Sequence, residues 1–334
     1  MNRKIMISLR IVPWILLLAC PVKAISQSIL SKPAHIIFDS DMGPDYDDVG
    51  AIAILHALAD SGQAKILATI ASTRYESVAG VLNVFNTYFK KPDIPIGTPK
   101  GHGLELRDKQ HWTDTLLARY PHYYLKNDDA TNAVELYRKI LSSQGPHSVT
   151  IVTVGFLTNL ADLLRSGPDQ YSPLNGQDLV KQKVKQLVCM AGRFPAGKEF
   201  NVERDAASSK MVFEQWSGPV LLSGFEIGMK IKTGLPLIHN DSIIHSPVKD
   251  VFRISIPQSP EDSAGRMSWD ETAVLVAIKG WRPWYRIQEG RMLVADDGSD
   301  TWNPKGKGHF RLIENCPPEI VQDAINTLIM HQPR

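Results

Sequence analysis

The sequence predicts an α/β fold with an open, mostly parallel, Rossmann-like central sheet flanked by helices. Short apolar runs alternate along the chain with longer segments of helical periodicity, and polar residues follow directly behind several of the runs. The alternation is typical of parallel strands joined by crossover helices. Because the carboxyl ends of parallel strands meet at one edge of a sheet, we expect these polar residues to form a site there.

The elements can be placed in order along the chain. Apolar and β-branched runs predict strands at residues 36–38, 65–70, 148–154, 185–190 and 220–222. Helical periodicity predicts helices at residues 49–55, 78–89, 131–141 and 157–164, with a further helix opened by residues 266–273. Thr131 is the expected cap of its helix.

The first residues have the features of an export signal. Basic residues precede an apolar core at residues 11–19, and a small-residue cleavage site ends at Ala24. We therefore expect a signal peptide at residues 1–24, a single domain at residues 25–334 without a membrane span, and a periplasmic or secreted protein. The alternative is lipoprotein processing, in which Cys20 carries lipid and anchors the protein to a membrane.

The composition excludes several classes of protein. With 334 residues, of which 43% are hydrophobic, the chain can bury a sizeable core. A net charge of +2 gives no electrostatic surface for a nucleic acid polymer. Once the signal peptide is removed only Cys189 and Cys316 remain, which are too few for a disulfide framework.

An acidic cluster follows the first predicted strand. Its five carboxylates are Asp39, Asp41, Asp45, Asp47 and Asp48. Like charges this close repel one another unless a cation lies among them, and carboxylate oxygens suit Ca²⁺ or Mg²⁺. The alternative is an exposed acidic loop that places a carboxylate near the N-terminus of a helix, where the helix dipole stabilises it.

Three later segments supply further candidates. Glu199 and Asn201 lie two residues apart, a spacing that suits binding of vicinal hydroxyls, although both could be ordinary loop residues. Asp270 lies in the first turn of a predicted helix, where helix capping is the usual role of an aspartate. A strand-end carbonyl at residues 153–155 could complete an oxygen shell around a cation.

Together these segments resemble one family, the calcium-dependent nucleoside hydrolases of inosine-uridine type. The family opens on Asp-x-Asp followed by an Asp-Asp pair, which is similar to Asp39, Asp41 and the pair Asp47-Asp48. Residues 152–161 are similar to the family's Gly-x-Leu-Thr-Asn segment, and three later segments continue the similarity in the family's order. These are Glu199-Phe200-Asn201, Asp205-Ala206-Ala207 and Asp270 with Ala273-Val274-Leu275.

The resemblance implies calcium-dependent hydrolysis of the N-glycosidic bond of a ribonucleoside or related riboside. It implies direct attack of a metal-bound water through an oxocarbenium-like state, without a covalent sugar intermediate, and a homo-oligomer. The implied Ca²⁺ ligands are Asp41, Asp48, Asp270 and the main-chain carbonyl of Val154. Asp41 is also the implied catalytic base. The implied substrate-binding residues are Asp47, Glu199, Asn201 and Asp270, and Trp269, which departs from the family pattern, is a further candidate.

Two departures from the family pattern affect these assignments. Two extra residues separate Asp41 from the Asp47-Asp48 pair, so that Asp45 competes for the sugar-binding role of Asp47. Trp269 stands where many members carry a histidine that protonates the leaving base, and an indole cannot supply that proton. It could instead stack on a base or be a packing residue.

Activation of the leaving group is therefore unassigned. Four histidines could move in from loops: His102, His111, His239 and His245. Arg193 and Arg266 lie near the expected mouth, which would suit a riboside with an anionic or an intrinsically good leaving group.

Two alternative functions follow from the same residues. A catalytically silent protein that binds Ca²⁺ or sugar on this fold would explain Trp269 and the missing acid. A phosphohydrolase of the haloacid dehalogenase type would use Asp39 as nucleophile with Mg²⁺, but it leaves Glu199 and Asn201 without a role.

Overall fold

One eleven-stranded sheet runs through residues 32–333, the part of the chain that the computed structural model describes. The strands of the described part, in chain order, are β1 (Ala34–Ser40), β2 (Ala64–Ala71), β3 (Ile96–Thr98), β4 (Thr131–Asn132), β5 (Val149–Thr153), β6 (Val184–Met190), β7 (Ala196–Lys198), β8 (Val220–Ser223), β9 (Lys232–Thr233), β10 (Arg266–Met267), β11 (Tyr285–Val294), β12 (Ser299–Asn303) and β13 (His309–Glu314). The sheet order is β4-β3-β2-β1-β5-β6-β8-β13-β11-β12-β7, and β9 and β10 form a separate two-stranded sheet.

Helices cover both faces of the large sheet. In chain order they are α1 (Asp47–Asp60), α2 (Val78–Tyr88), α3 (Trp112–Arg119), α4 (Ala133–Ser143), α5 (Thr158–Arg165), α6 (Gly176–Lys183), α7 (Phe200–Arg204), α8 (Ala206–Gln215), α9 (Phe225–Gly228), α10 (Leu235–Ile238), α11 (Pro247–Ser255), α12 (Trp269–Lys279) and α13 (Pro318–Ile329). Successive residues of β1 enter different core clusters, Ile36 and Phe38 one and Ile37 the other, because side chains alternate across a strand. The predicted α/β fold with a mostly parallel sheet is confirmed.

The strand register brings the candidate loops to one edge of the sheet. β1 pairs in parallel with both β2 and β5, so that Asp39 lies opposite Ile70 on one side and Thr153 on the other. The loops that follow these three strands therefore leave the sheet side by side. This arrangement is the one expected for a site at the carboxyl ends of parallel strands.

Helices α1 and α12 approach each other closely beneath this edge. A Cβ atom on Gly50 would lie 2.1 Å from Oε1 of Glu271, so the contact requires glycine at this position of α1. The N-termini of both helices point to the same region, and each carries carboxylates in its first turn. The contact thus sets the spacing between the acids of the two helices.

Two features of the fold differ from the sequence-based predictions. The antiparallel extension β13-β11-β12-β7 was not expected, because the first seven residues of β11 are mostly polar or charged and its apolar run is confined to residues 292–294 at its end. Thr131 does not cap α4, since it pairs with Gly97 in the sheet. Asn132 is the cap, and its side chain accepts the N–H groups of Val134 and Glu135 at 3.0 and 3.2 Å.

The predictions for the N-terminal residues fall outside the described part of the chain. These are the signal peptide at residues 1–24, the domain boundary that follows it, and the alternative lipid site at Cys20. Within the described residues, no helix combines the length and the apolar character that crossing a bilayer requires.

Candidate active site

Three carboxylates converge at the carboxyl edge of the sheet. Asp45 lies in the loop after β1, Asp48 in the first turn of α1 and Asp270 in the first turn of α12, and one oxygen of each lies within 4.8 Å of the other two. We refer to them as the acidic triad. Burial, followed by repulsion from Asp47, raises the pKa of Asp48 to about 7 and the pKa of Asp270 above its usual range. A cation among these oxygens would remove the repulsion.

Asp41 lies beside the acidic triad. Its side chain is buried, and its pKa is raised first by burial and then by repulsion from Asp48 and Asp45. The loop after β5 packs directly against it, because a Cβ atom on Gly155 would lie 2.3 Å from the backbone nitrogen of Asp41. Ser40 Oγ donates a hydrogen bond to Oδ1 of Asp48 at 2.5 Å, whereas Oδ2 of Asp48 has no partner.

Asp39 has a structural role, because its carboxylate is hydrogen-bonded to residues of α4 and α5. It is fully buried and accepts hydrogen bonds from the Tyr137 hydroxyl at 2.7 Å and from Asn159 Nδ2 at 3.1 Å. Asn159 also donates to the carbonyl of Ala71 at 2.8 Å, which joins the ends of β1 and β2 to α5. Asp39 does not line the cavity described below, so the nucleophilic role of the phosphohydrolase alternative has no geometric support.

Glu199 and Asn201 form the opposite side of the site. The carboxylate of Glu199 accepts the backbone N–H groups of Asn201, Val202 and Gly192 at 2.9, 3.2 and 3.4 Å, and burial raises its pKa to about 7. Asn201 Nδ2 donates to the carbonyl of Val154 at 3.0 Å and to a second carbonyl at the end of β6. These bonds fix the carbonyl that the sequence predicts as a metal ligand.

Both carboxylate oxygens of Asp47 accept hydrogen bonds. Oδ1 accepts Nη2 and Nε of Arg266 at 2.6 and 3.1 Å. Oδ2 accepts the backbone N–H groups of Trp269 and Asp270 at 3.2 and 3.3 Å. Asp47 therefore joins the N-terminus of α1 to that of α12.

Trp269 is both a packing residue and part of the cavity wall. Its indole N–H donates to the carbonyl of Phe225 at 2.8 Å, and the two rings pack at a centroid distance of 5.1 Å. The guanidinium of Arg266 lies 5.2 Å from the Trp269 ring. The indole N–H is therefore already hydrogen-bonded to the carbonyl of Phe225. Part of the Trp269 side chain also lines the cavity.

These groups surround one cavity of about 400 Å³. The predicted site residues that line it are Asp41, Asp47, Val154, Glu199, Asn201, Trp269 and Asp270. Asp48 does not line the cavity, but it belongs to the acidic triad together with Asp45 and Asp270, which do. A volume of this size falls within the range of small-molecule sites.

The lining of the cavity also contains residues that were not predicted. Among them are Arg107, Lys109, Gln110, Arg204 and Phe225. Phe225 follows the end of β8, so the position of that strand could have indicated it. The residues at 107–110 belong to a long irregular connection that carries no periodic signal. Among the described residues no histidine lines the cavity, and Arg193 does not line it either, although its guanidinium lies 4.7 Å from the centroid of the Phe225 ring.

Comparisons with known proteins agree with this geometry. The sequence profile described as inosine-uridine preferring nucleoside hydrolase matches residues 36–310. The pyrimidine-specific ribonucleoside hydrolase RihA of Salmonella enteritidis PT4 (strain P125109) is 30% identical over 231 residues, covering 65% of this chain and 68% of the relative.

Two solved structures share the fold. The plant nucleoside hydrolase PpNRh1 matches with a TM-score of 0.67 and 19% identity over 89% of this chain and 99% of that one. The inosine-uridine preferring nucleoside hydrolase of Bacillus anthracis matches with a TM-score of 0.66 and 15% identity over the same shares. The chain therefore belongs to the inosine-uridine preferring nucleoside hydrolase family and is a hydrolase that acts on N-glycosyl bonds.

Proposed function

We propose that this protein hydrolyses the N-glycosidic bond of a ribonucleoside or related riboside in a calcium-dependent reaction, by direct attack of water without a covalent sugar intermediate. The observation that carries the proposal is the acidic triad at the floor of a cavity of about 400 Å³. The relatives named above are nucleoside hydrolases with different base preferences. The preferred base of this protein is therefore left to experiment.

The residues present fit a calcium ion. Ca²⁺ takes six to eight oxygen ligands, and the acidic triad offers three carboxylates, one of which, Asp48, has an oxygen without a hydrogen-bond partner. Asp41 and the carbonyl of Val154 line the same cavity and are the further proposed ligands. When bound, a divalent cation lowers the pKa of a coordinated water and so provides a nucleophile at neutral pH.

The protein's own residues have distinct proposed roles. Asp41 accepts a proton from the attacking water, and the surrounding carboxylates stabilise the positive charge that develops on the sugar. Glu199 and Asn201 bind sugar hydroxyls, and their backbone hydrogen bonds hold them in place before the substrate arrives. The fixed geometry lowers the entropic cost of reaching the transition state.

The cavity favours a leaving base that needs no proton from the protein. Among the described residues no histidine lines it, and the indole N–H of Trp269 is already bonded to Phe225. Lys109 and Arg204, two exposed residues of the lining, favour a substrate with an anionic group, whereas Arg107 is already paired with Asp108 and Asp114. A riboside of nicotinamide type, which loses a neutral base, is a second suitable substrate.

One observation supports a second candidate, a catalytically silent protein that binds Ca²⁺ or sugar. Trp269 occupies the position from which many family members are expected to protonate the base, and the described part of the cavity offers no histidine instead. Such a protein would bind calcium and ribose without releasing a base.

The location and assembly of the protein are also proposals. The N-terminal sequence supports export to the periplasm or the medium, with membrane anchoring through Cys20 as the alternative. The family resemblance supports a homo-oligomer. Mass spectrometry of the mature N-terminus separates the two modes of processing, since only one of them leaves a lipid on Cys20.

Ribose release tests the proposed function. The mature protein is incubated, calcium-loaded or chelated, with inosine, uridine, adenosine, nicotinamide riboside and nicotinic acid riboside. We expect release that disappears on chelation and in Asp48→Ala. Asp93→Asn is the matched control, because Asp93 is exposed and lies outside the cavity. Calcium and ribose binding without release from any substrate would instead support the silent binder.

A further inference from the structure

We propose that Asp45 and Asp47 have separate roles: Asp45 binds the cation and the sugar, whereas Asp47 and Arg266 form a fixed ion pair that positions α1 against α12. The inference rests on the proposed function. It reverses the assignment that the sequence favours, in which the Asp47-Asp48 pair faces the substrate. Asp47 is then a positioning residue rather than a catalytic one.

The first argument is the saturation of Asp47. A carboxylate has about four acceptor sites. Two of those of Asp47 are used by Arg266 and two by the backbone N–H groups at the start of α12, all within 3.3 Å. Its side chain is only 2% exposed. A sugar hydroxyl could bind Asp47 only by displacing one of these donors.

The second argument is the fixed position of Arg266. The guanidinium is buried, lies 4.8 Å from the centroid of the Tyr46 ring, and is 3.5 Å from Oδ2 of Asp262. Tyr46 in turn donates its hydroxyl proton to Asp262 at 2.6 Å. Rings and carboxylates therefore surround the guanidinium, so that it cannot leave Asp47 without breaking several contacts.

The third argument is the open position of Asp45. Its side chain is 43% exposed, in contrast to that of Asp47, and one of its oxygens belongs to the acidic triad. Its carboxylate forms an ion pair with Nη2 of Arg266 at 3.0 Å, and this nitrogen lies closer to Asp47, at 2.6 Å. Asp45 therefore has free acceptor sites for a cation and for a hydroxyl group.

The two assignments differ in what each carboxylate does in the absence of metal. If Asp47 is the positioning residue, its loss leaves Arg266 without its principal partner and destabilises the folded protein before any ligand is added. If Asp45 is the cation ligand, its loss reduces repulsion in the metal-free protein and weakens calcium binding.

The test compares Asp45→Asn with Asp47→Asn, and Asp93→Asn again serves as the control. Unfolding midpoints are measured in chelator, and calcium affinity by isothermal titration. We expect Asp47→Asn to lower the midpoint by about 5 °C or more while the folded protein keeps its calcium affinity within about threefold. We expect Asp45→Asn to leave the midpoint within about 2 °C of the wild type and to weaken calcium binding at least tenfold.

A double variant keeps the test decisive if Asp47→Asn does not fold. Combined replacement, Asp47→Asn with Arg266→Gln, removes both charges of the pair, and we expect this variant to fold in chelator and to keep its calcium affinity within about threefold of the wild type. Normal calcium binding by Asp45→Asn, together with tenfold weaker binding by Asp47→Asn at an unchanged midpoint, would overturn the inference. None of these readouts requires turnover, so they remain decisive even if the wild type hydrolyses no nucleoside.

Discussion

The two walls of the cavity are built in opposite ways. On the first wall, the acidic triad brings buried like charges together, and Asp48 keeps an oxygen without a hydrogen-bond partner. On the second wall, Glu199 accepts three backbone N–H groups and Asn201 donates to two backbone carbonyls. A cation would therefore offset the repulsion between the carboxylates of the first wall, whereas the polar side chains of the second wall already form hydrogen bonds within the protein.

The two walls should therefore respond differently to substitution. A change in the first wall should affect metal binding and turnover, with little loss of stability in the metal-free protein, because it removes a repelling charge. A change in the second wall should also lower stability without metal, because it leaves buried polar groups unpaired.

The largest effect is expected for Asp270→Ala. Loss of one carboxylate of the acidic triad should lower kcat/KM at least 100-fold, beyond the 10- to 100-fold loss that is typical for partners of metal ligands. The unfolding midpoint in chelator should stay the same or rise, since repulsion is reduced. Kinetics and thermal unfolding in chelator check both points. A lowered midpoint would contradict the comparison, because it would show that Asp270 stabilises the metal-free fold.

Asn201→Asp should damage the second wall. The new carboxylate would face the carbonyls of Val154 and Met190, which now accept hydrogen bonds from the amide. We expect a 10- to 100-fold lower kcat/KM and a loss of roughly 1–3 kcal/mol in the free energy of unfolding with chelator present. Denaturant titration measures the latter. Asn201→Asp with wild-type stability in chelator would show that the second wall, too, depends on the cation.

The second wall also predicts a pH dependence of the metal-free protein. Burial raises the pKa of Glu199 from 4.5 to about 7. The folded state therefore holds this proton more tightly than the unfolded state does. The resulting stability is complete below pH 4.5 and is lost as the pH rises through about 7.

The pH effect is measured as the free energy of unfolding in chelator between pH 4.5 and pH 8. Wild-type stability should fall over this range, and that of Glu199→Gln should fall less, by at most roughly 3 kcal/mol. Parallel curves for the two proteins would mean that Glu199 does not titrate differently in the folded state.

The smallest effect is expected for Trp269→Phe. The variant keeps an aromatic ring in the wall but loses the hydrogen bond from the indole to the carbonyl of Phe225. The free energy of unfolding should fall by about 1 kcal/mol, and kcat/KM should change less than about threefold. A tenfold loss of kcat/KM at constant stability would instead assign Trp269 a direct role at the leaving base.

Much of the sheet could be predicted because its central strands are continuous apolar runs. Strands β1, β2, β5, β6 and β8 are buried on both faces, so hydrophobicity alone marks them. The extension β11 to β13 is partly exposed, and the longest apolar run within these strands is residues 292–294. Its antiparallel pairing depends on contacts between strands, which a single sequence does not reveal.

The position of the candidate site could be predicted for a related reason. The aspartates in the loop behind the first apolar run, and Asp270 at the start of a predicted helix, indicated the edge of the sheet where these carboxylates lie. The sequence could not separate Asp45 from Asp47, because both are acids in one short loop. The structural difference between them depends on Arg266, which lies 219 residues from Asp47 and reaches it only in the folded chain.

The composition of the acidic triad has a consequence for biosynthesis. Asp45 and Asp48 are translated early, whereas Asp270 belongs to a helix near the end of the chain. If the acidic triad binds calcium as proposed, a nascent polypeptide has only part of the site for most of its synthesis, and the binding free energy becomes available when α12 has docked on α1. Calcium would then stabilise completed molecules and not truncated ones.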